Sequence, residues 1–222
     1  MIRGYVEKEE YQTGIGTKNA AAVFAKNGYL TLAPDFLGYG KSDPAPADDM
    51  EARLERPATI LQLLASLPNL QSADTSRVGV WAHSNGGQIA LSVLEISGKD
   101  YPATLWAPVS KPFPYSILYY TDDSPDNGKY LRKLTADFDK LYDANQFSIS
   151  RYFDWITAPV QVHQGTADDA VPWKWSSDLV KALKEKEKQA ALFTHSGADH
   201  NMKPAWNTAI GQDLVFFKSR LR

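Results

Sequence analysis

The feature that most constrains this chain is a short apolar run that leads through a tight corner into a helical pattern. The pattern predicts a strand over residues 77–83 and a helix over residues 86–97, with Ser84 at the corner. A serine placed there must adopt a strained backbone with positive φ, so that its hydroxyl stands clear of the sheet. Small neighbours two positions away on each side, Ala82 and Gly86, let strand and helix approach each other.

Two interpretations of Ser84 remain open at this point. The serine can be an ordinary N-cap of the helix that follows it. It can also be a nucleophile, because the helix N-terminus directs backbone N–H groups at the place where a developing oxyanion would be stabilised. A small-x-Ser-x-Gly string occurs by chance in many proteins, so this motif alone does not distinguish a nucleophile from an N-cap.

Composition narrows the class of protein. The chain has 222 residues, 43% of them hydrophobic and 23% charged, which predicts one globular α/β domain over residues 1–222. A net charge of −2 gives no reason to expect nucleic acid or an anionic membrane surface as a partner. No apolar run is long enough to span a membrane, and no secretory signal opens the chain, so the default expectation for localisation is the cytoplasm. The absence of cysteine excludes disulfides and thiolate metal sites.

Strands and helices alternate along the chain. Besides the pair around Ser84, strands are predicted at residues 29–33, 103–107, 159–163 and 190–194, and helices at residues 17–27, 50–67, 173–187 and 204–220. Pro57 predicts a break in the second helix near Arg56. The alternation predicts a doubly wound, mostly parallel sheet with helices on both faces. In such sheets a ligand site lies at the carboxyl ends of the strands.

Residues 108–156 interrupt this alternation. They are rich in Pro, Tyr and Asp, and helical spacing appears only around residues 128–142. We expect this stretch to be an insertion that covers the active-site side of the sheet as a cap. Trp106 just before it and Trp173 beyond it are predicted to contact substrate, because aromatic side chains commonly line ligand pockets.

Acidic and histidine side chains follow the last two predicted strands. Asp168 and Asp169 come after the strand at 159–163, and His200 comes after the strand at 190–194. An acid and a histidine at these strand ends can orient one another and reach a serine at a third. Asp169 remains an alternative to Asp168. The other histidines, His83, His163 and His195, are expected to be structural, and Asp199 is expected to be solvated.

The chain resembles α/β-hydrolases of the prolyl-oligopeptidase and dienelactone-hydrolase type. Four motifs carry the resemblance: Ala-Pro-Asp-x-x-Gly-Tyr-Gly-x-Ser at 33–42, His-Ser-Asn-Gly-Gly at 83–87, Gly-Thr-Ala-Asp-x-x-Val-Pro at 165–172 and Gly-Ala-Asp-His at 197–200. The resemblance implies the α/β-hydrolase fold, with Ser84 as nucleophile, Asp168 as acid and His200 as base of a Ser-His-Asp triad. Ala82 departs from the family pattern, which has glycine there.

The resemblance also implies an oxyanion hole. The backbone N–H of Asn85, the residue after the nucleophile, is one expected donor, and the backbone N–H of Tyr5 is the other. Family members carry further strands before this point, which this chain is expected to lack. A donor so near the start of the chain is expected to fray.

The function that the resemblance implies is hydrolysis of carboxylic esters through an acyl-enzyme, with aromatic esters or polyesters as candidate substrates. The alternatives are a prolyl-oligopeptidase-type serine peptidase and a non-catalytic binding protein of the same fold. A peptidase could bind a substrate amine through loop acids, although these are more simply solvated: Asp122, Asp123 and Asp126. We expect no metal and no cofactor. The expected partners are a small ester or short peptide, and a second copy through an exposed sheet edge.

Overall fold

The sheet at the centre of the molecule is parallel and short. The computed structural model describes residues 1–71 and 73–221, and the side chain of Asp123 lies outside its described part. The four strands are β1 (Val80–His83), β2 (Ala103–Trp106), β3 (Val160–Gly165) and β4 (Ala190–His195), in the spatial order β1-β2-β3-β4. All three strand pairs are parallel.

Helices connect the strands. They are α1 (Lys18–Lys26), α2 (Asp49–Leu54), α3 (Arg56–Ser66), α4 (Asn85–Ser97), α5 (Tyr115–Leu118), α6 (Lys129–Asp139), α7 (Trp173–Glu185) and α8 (Trp206–Arg220). Single 3-10 turns lie at Lys8–Glu10, Leu67–Asn69, Thr121–Asp123, Ala144–Phe147, Ile149–Arg151 and Phe153–Trp155. Across the two described stretches, no helix has the length and apolarity needed to cross a bilayer.

Both faces of the sheet are covered by apolar side chains. Successive strand residues point to opposite faces, so Val80 and Ala82 join one buried cluster while Trp81 joins another. The first cluster includes residues of α3, α4 and α7, and the second includes residues of α1 and α8. This two-sided burial confirms the predicted α/β architecture with helices on both faces.

The predicted break in the second helix is confirmed. The chain forms α2, pauses at Glu55 and resumes as α3, in which Pro57 occupies the first turn. Proline is well tolerated there because the N–H that it lacks would have no partner inside the helix. Asp48 caps α2 by accepting hydrogen bonds from the backbone N–H groups of Met50 and Glu51.

The predicted strand over residues 29–33 is wrong, because this segment lies outside the sheet. A strand needs a ladder of hydrogen bonds to a neighbour, and here the Met1 amino group donates to the Leu32 carbonyl as an isolated contact (2.6 Å). A cavity of about 800 Å³ separates the segment from the start of β1, and Leu32 and Val78 are among its lining residues. The strand predicted from residue 77 accordingly begins at Val80.

Residues 108–156 form short helices and turns with a small core of their own. The helical spacing around 128–142 corresponds to α6, which packs near α2. Buried side chains from this stretch and from α2 make the core: Met50, Phe113, Ile117 and Ala144. The stretch follows directly from β2, whose carboxyl end lies beside Ser84.

Candidate active site

The corner between β1 and α4 has the backbone predicted for it. Ser84 has φ 55° and ψ −124°, a conformation that costs a non-glycine residue about 1–3 kcal/mol. Hydrogen bonds to the end of β2 and to the loop after it hold this conformation: Ser84 N–H donates to the Trp106 carbonyl (2.8 Å), and the Ser84 carbonyl accepts from the N–H of Val109 (3.0 Å). The strain is therefore offset by a fixed backbone that raises the serine above the sheet edge.

Two glycines after the serine are required by close packing. A Cβ atom at Gly86 would lie 2.4 Å from the Ile2 carbonyl oxygen, and one at Gly87 would lie 2.4 Å from the Pro108 Cβ. Both distances are far inside van der Waals contact. The Gly-Gly pair thus lets α4 start directly against the N-terminal segment and the loop after β2.

The carboxylate of Asp168 is held from several sides in the loop after β3. Its Oδ1 accepts from the backbone N–H groups of Ala170 (2.9 Å) and Val171 (2.8 Å), and its Oδ2 accepts from the Gln164 side-chain amide (2.8 Å). Burial acts to raise the pKa of Asp168, but hydrogen bonds from His200, Val171 and Gln164 outweigh burial and lower this pKa. Asp168 is therefore poised to stay a carboxylate.

His200 lies against this carboxylate. Its Nδ1 is 3.0 Å from Oδ2 and 3.1 Å from Oδ1 of Asp168. Because a carboxylate accepts, Nδ1 carries the proton and Nε2 is left as the basic atom. The neighbouring Asp169 is exposed, so the structure brings Asp168 rather than Asp169 to the histidine.

The acid loop and the histidine loop are packed on each other. A Cβ at Gly165 would lie 2.2 Å from the Ala198 carbonyl oxygen, which also accepts a hydrogen bond from Ala167 N–H (2.9 Å). The close approach explains why glycine ends β3. It also fixes the spacing between Asp168 and His200 before any substrate binds.

His83, the residue before the serine, links β1 to the loop that carries His200. His83 Nε2 lies 2.9 Å from the His200 carbonyl oxygen, and the two imidazole ring centroids are 4.7 Å apart. Within the described residues no hydrogen bond joins the Ser84 hydroxyl to His200. Such contacts often tighten only when substrate is present.

The candidate oxyanion donors lie on both sides of Ser84. A Cβ at Gly4 would be 3.0 Å from the Ser84 Cβ, which places the Gly4–Tyr5 peptide beside the serine. Throughout the described stretches, the backbone N–H groups of Tyr5 and Asn85 donate to no other protein group. Both are therefore free to bind a substrate oxygen.

The N-terminal segment does not fray as expected. Ile2 N–H donates to the Trp81 carbonyl (2.8 Å), and the Ile2 carbonyl accepts from His83 N–H (3.1 Å). Ile2 and Arg3 are only 2% and 3% exposed. These contacts join the segment to β1 and hold Gly4 in place.

Arg3 adds a second anchor that the sequence did not reveal. Its guanidinium carbon lies 4.2 Å from the ring centroid of Tyr39 and 4.6 Å from that of Tyr11, and Nη1 donates to the Gly4 carbonyl (2.9 Å). A desolvated cation–π contact contributes about 2 kcal/mol. The two tyrosines therefore fix the peptide that carries one candidate oxyanion donor.

The two predicted substrate-contacting tryptophans are placed differently. Trp106 is 2% exposed, and its indole N–H donates to buried Asp213 (2.8 Å), so it packs in the core and the prediction that it contacts substrate is wrong. Its aromatic character suggested a place in the substrate pocket, but strand alternation turns its side chain toward α8. Trp173 is 53% exposed at the first residue of α7, directly after the acid loop.

The two remaining histidines, His163 and His195, were expected to be structural, and they belong to a buried hydrogen-bond network. His163 Nε2 lies 3.0 Å from Asp213 Oδ1, and His163 Nδ1 lies 2.9 Å from His195 Nε2. Asp213 also accepts from the Thr104 hydroxyl. Asp213 is on α8, far beyond His163 along the chain, and no local spacing could have signalled this pairing.

The acidic loop residues considered for amine binding are engaged elsewhere. Asp122 pairs with Arg132 (2.8 Å), and Asp126 accepts from the backbone N–H groups of Gly128 and Tyr130. The side chain of Asp123 lies outside the described part of the chain.

The cavity beside β1 is lined by none of Ser84, Asp168 and His200 and is separate from this site.

Comparison with known proteins finds relatives that are peptidases and esterases by name. The chain is 31% identical over 126 residues to a Schizosaccharomyces pombe protein named as a dipeptidyl aminopeptidase, a match that spans 57% of this chain and 14% of that protein. A puromycin-hydrolyzing peptidase of Mycobacterium tuberculosis has a similar structure (TM-score 0.61, 24% identity), covering 75% of this chain and 25% of the peptidase. The chain thus spans a small part of the length of these two relatives.

Shorter esterases have the same fold over nearly their whole length. Est1E from Butyrivibrio proteoclasticus, solved with ferulic acid bound, has a TM-score of 0.70 and 18% identity, covering 99% of this chain and 87% of Est1E. An esterase from Pyrococcus furiosus has the same TM-score and identity, with coverage of 100% and 80%. The profile of the prolyl oligopeptidase family matches residues 16–219. The chain therefore belongs to the prolyl oligopeptidase family of serine hydrolases, on an α/β-hydrolase fold.

Proposed function

We propose that this protein hydrolyses carboxylic esters through a covalent acyl intermediate on Ser84. The observation that carries the proposal is the Asp168–His200 pair, held at 3.0 Å beside a serine whose backbone has a positive φ. A capping serine needs neither the strained backbone nor an oriented imidazole next to it. The arrangement fits a nucleophile with its base and orienting acid.

The reaction proceeds in two halves. His200 Nε2 takes the proton of the Ser84 hydroxyl as the oxygen attacks the ester carbonyl, and the N–H groups of Asn85 and Tyr5 stabilise the oxyanion. Asp168 holds the Nδ1 proton and stabilises the imidazolium. His200 then gives its proton to the leaving alkoxide, leaving an acyl-serine. In the second half His200 takes a proton from water as the water oxygen attacks the acyl group, and returns that proton to Ser84 as the acid leaves.

An ester substrate is supported by the side chains near the acid loop. Trp175 is buried against Tyr119 (ring centroids 4.7 Å apart), and Tyr119 itself is 40% exposed. An aromatic wall beside Val171 suits an apolar or aromatic acyl group.

A peptidase is the second candidate. It is favoured by the family match over residues 16–219 and by the 31% identity to the fission-yeast relative. Against it, Asp122 is paired with Arg132 on α6, and Asp126 accepts from the backbone N–H groups of its own loop and of α6. The Ser84, Asp168 and His200 machinery would serve either bond, because both reactions pass through a tetrahedral oxyanion.

Paired initial rates separate the candidates. We would measure hydrolysis of p-nitrophenyl butyrate and of an aminoacyl p-nitroanilide by the protein and by Ser84→Ala. Ester turnover that vanishes in Ser84→Ala supports the proposal. Faster anilide turnover would put the peptidase first, and folded protein inactive on both substrates would indicate a non-catalytic role.

A further inference from the structure

A buried pair of side chains is linked to the carboxylate of Asp168. Gln164 is 1% exposed at the end of β3, and Ser176 is fully buried on α7. The Gln164 amide nitrogen lies 2.8 Å from Asp168 Oδ2, and the Ser176 hydroxyl lies 2.7 Å from Gln164 Oε1. Ser176, Gln164, Asp168 and His200 thus form one hydrogen-bonded chain.

Chemistry fixes the orientation of the Gln164 amide. Its nitrogen faces three acceptors: Asp168 Oδ2, the Val171 carbonyl (3.2 Å) and the Gly165 carbonyl (3.3 Å). A flipped amide would set its carbonyl oxygen against all three, which is strongly unfavourable in a buried site. The opposite end must therefore accept, and the Ser176 hydroxyl donates to it.

We propose that Gln164 and Ser176 are positioning residues that set the ionisation and the orientation of Asp168. The Gln164 amide is the one side-chain donor to the acid, besides His200, in the described residues. Without it Oδ2 would be left with His200 alone in a buried environment, and the carboxylate could rotate away from Nδ1. Ser176 acts at one remove, by holding the amide so that its N–H points at the acid.

The inference rests on the proposed function for its catalytic meaning, but its first test needs no turnover. The pKa of Asp168 is measured from the pH titration of its 13Cγ resonance in the wild type, Gln164→Leu and Ser176→Ala. Each N–H donor to a carboxylate stabilises the charged form, so we expect Gln164→Leu to raise this pKa by about one pH unit. Ser176→Ala should raise it by less.

Gln161 provides a matched control. It lies on the same strand, is 5% exposed and donates to a different buried carboxylate, Asp213 (3.0 Å). Gln161→Leu should destabilise the fold comparably and leave the pKa of Asp168 unchanged. If Gln164→Leu does not fold, Ser176→Ala and Gln164→Glu carry the test.

Gln164→Glu gives a readout that mere packing would not produce. While protonated, the carboxyl group that this variant introduces can donate to Asp168 as the amide does, whereas its ionised form repels Asp168. The kcat of Gln164→Glu, divided by the wild-type kcat at the same pH, should therefore fall as pH rises from about 5 to about 8. The kcat of Gln164→Leu should be reduced about tenfold with KM nearly unchanged.

Two results would overturn the inference: an Asp168 pKa equal in wild type and Gln164→Leu, or parallel pH profiles for wild type and Gln164→Glu. If Gln164→Leu shifts the pKa of Asp168 but the wild type hydrolyses no ester, the positioning role stands and the proposed function is refuted instead. The two failures are thus distinguishable.

Discussion

The Nε2 atom of His83 lies 2.9 Å from the backbone carbonyl oxygen of His200. The residue before the candidate nucleophile thus holds the loop that carries the candidate base. Burial and the adjacent His200 imidazole lower the pKa of His83 to about 4. His83 is therefore neutral at pH 7, with its proton on Nε2 and its hydrogen bond intact.

We expect His83→Phe to lower kcat about tenfold, because one hydrogen bond of about 1.4 kcal/mol that places His200 is lost. KM should change little, since the His83 ring is engaged with the His200 backbone rather than with substrate. His83→Asn keeps a donor and should retain more activity than His83→Phe. Equal kcat in wild type and His83→Phe, measured at pH 7 on p-nitrophenyl butyrate, would show that the contact does not position the base.

Glu95 on α4 predicts an unusual pH dependence of stability. Its side chain is 5% exposed, and burial raises its pKa to about 9 from 4.5. The folded state then holds a proton that the unfolded chain releases above pH 4.5, so this group makes stability fall as pH rises from 4.5 to 9. Glu95→Gln carries no such penalty.

The free energy of unfolding of Glu95→Gln should exceed that of the wild type by up to about 3 kcal/mol at pH 7. The difference should be small at pH 5 and grow with pH. Urea unfolding at pH 5, 7 and 8 measures it. A difference that is constant across these pH values would mean that Glu95 is ionised in the folded state.

Gly86 and Gly211 offer a matched pair of glycine substitutions in helices. A Cβ at Gly86 meets the carbonyl oxygens of Ile2 and Arg3 at 2.4 and 2.5 Å, whereas a Cβ at Gly211 on α8 has no atom within 4 Å. Gly86→Ala should destabilise the fold by about 1–3 kcal/mol and displace the Gly4–Tyr5 peptide. Gly211→Ala should stabilise it by about 0.5–1 kcal/mol.

Thermal unfolding and ester hydrolysis of both variants check this prediction. Folded Gly86→Ala should have a reduced kcat, because a displaced Tyr5 N–H no longer reaches the oxyanion. Gly211→Ala should keep the wild-type kcat. Unaltered activity in Gly86→Ala would remove Tyr5 from the oxyanion hole.

Trp173 and Trp155 are both exposed tryptophans, 53% and 56%, at opposite ends of α7. Trp173 is the first residue of α7, beside the acid loop. Trp155 lies in the turn whose Asp154 pairs with Lys186, just beyond the other end of α7 and about 20 Å from Trp173. Trp173→Ala should raise KM for an aromatic ester about fivefold through the loss of roughly 1 kcal/mol of ring contact. Trp155→Ala should leave KM unchanged, and equal KM values in both variants would exclude Trp173 from the substrate site.

The sequence predicted the elements around the site because their signals are local. The apolar run before Ser84, the Gly-Gly pair after it and the turn residues around Asp168 each act within a few positions. The same is true of the break before Pro57, because a proline in the first turn of α3 cannot donate a backbone hydrogen bond back into α2. Such features depend little on what packs against them.

Features that depend on distant partners were missed. Whether residues 29–33 form a strand depends on a neighbouring ladder, and hydropathy along the segment carries no information about it. The burial of Arg3 depends on rings at Tyr11 and Tyr39, and the inward turn of Trp106 depends on Asp213 on α8. In each case tertiary contacts decided what the local pattern left open.

The central claim is that Ser84 is an activated nucleophile, and stoichiometric labelling with a fluorophosphonate probe tests it most directly. We predict one label per chain, mapped to Ser84 by peptide mass spectrometry, with labelling lost in Ser84→Ala and slowed at least about a hundredfold in His200→Ala. Folded wild-type protein that takes up no label, or that labels equally in Ser84→Ala, would contradict the account.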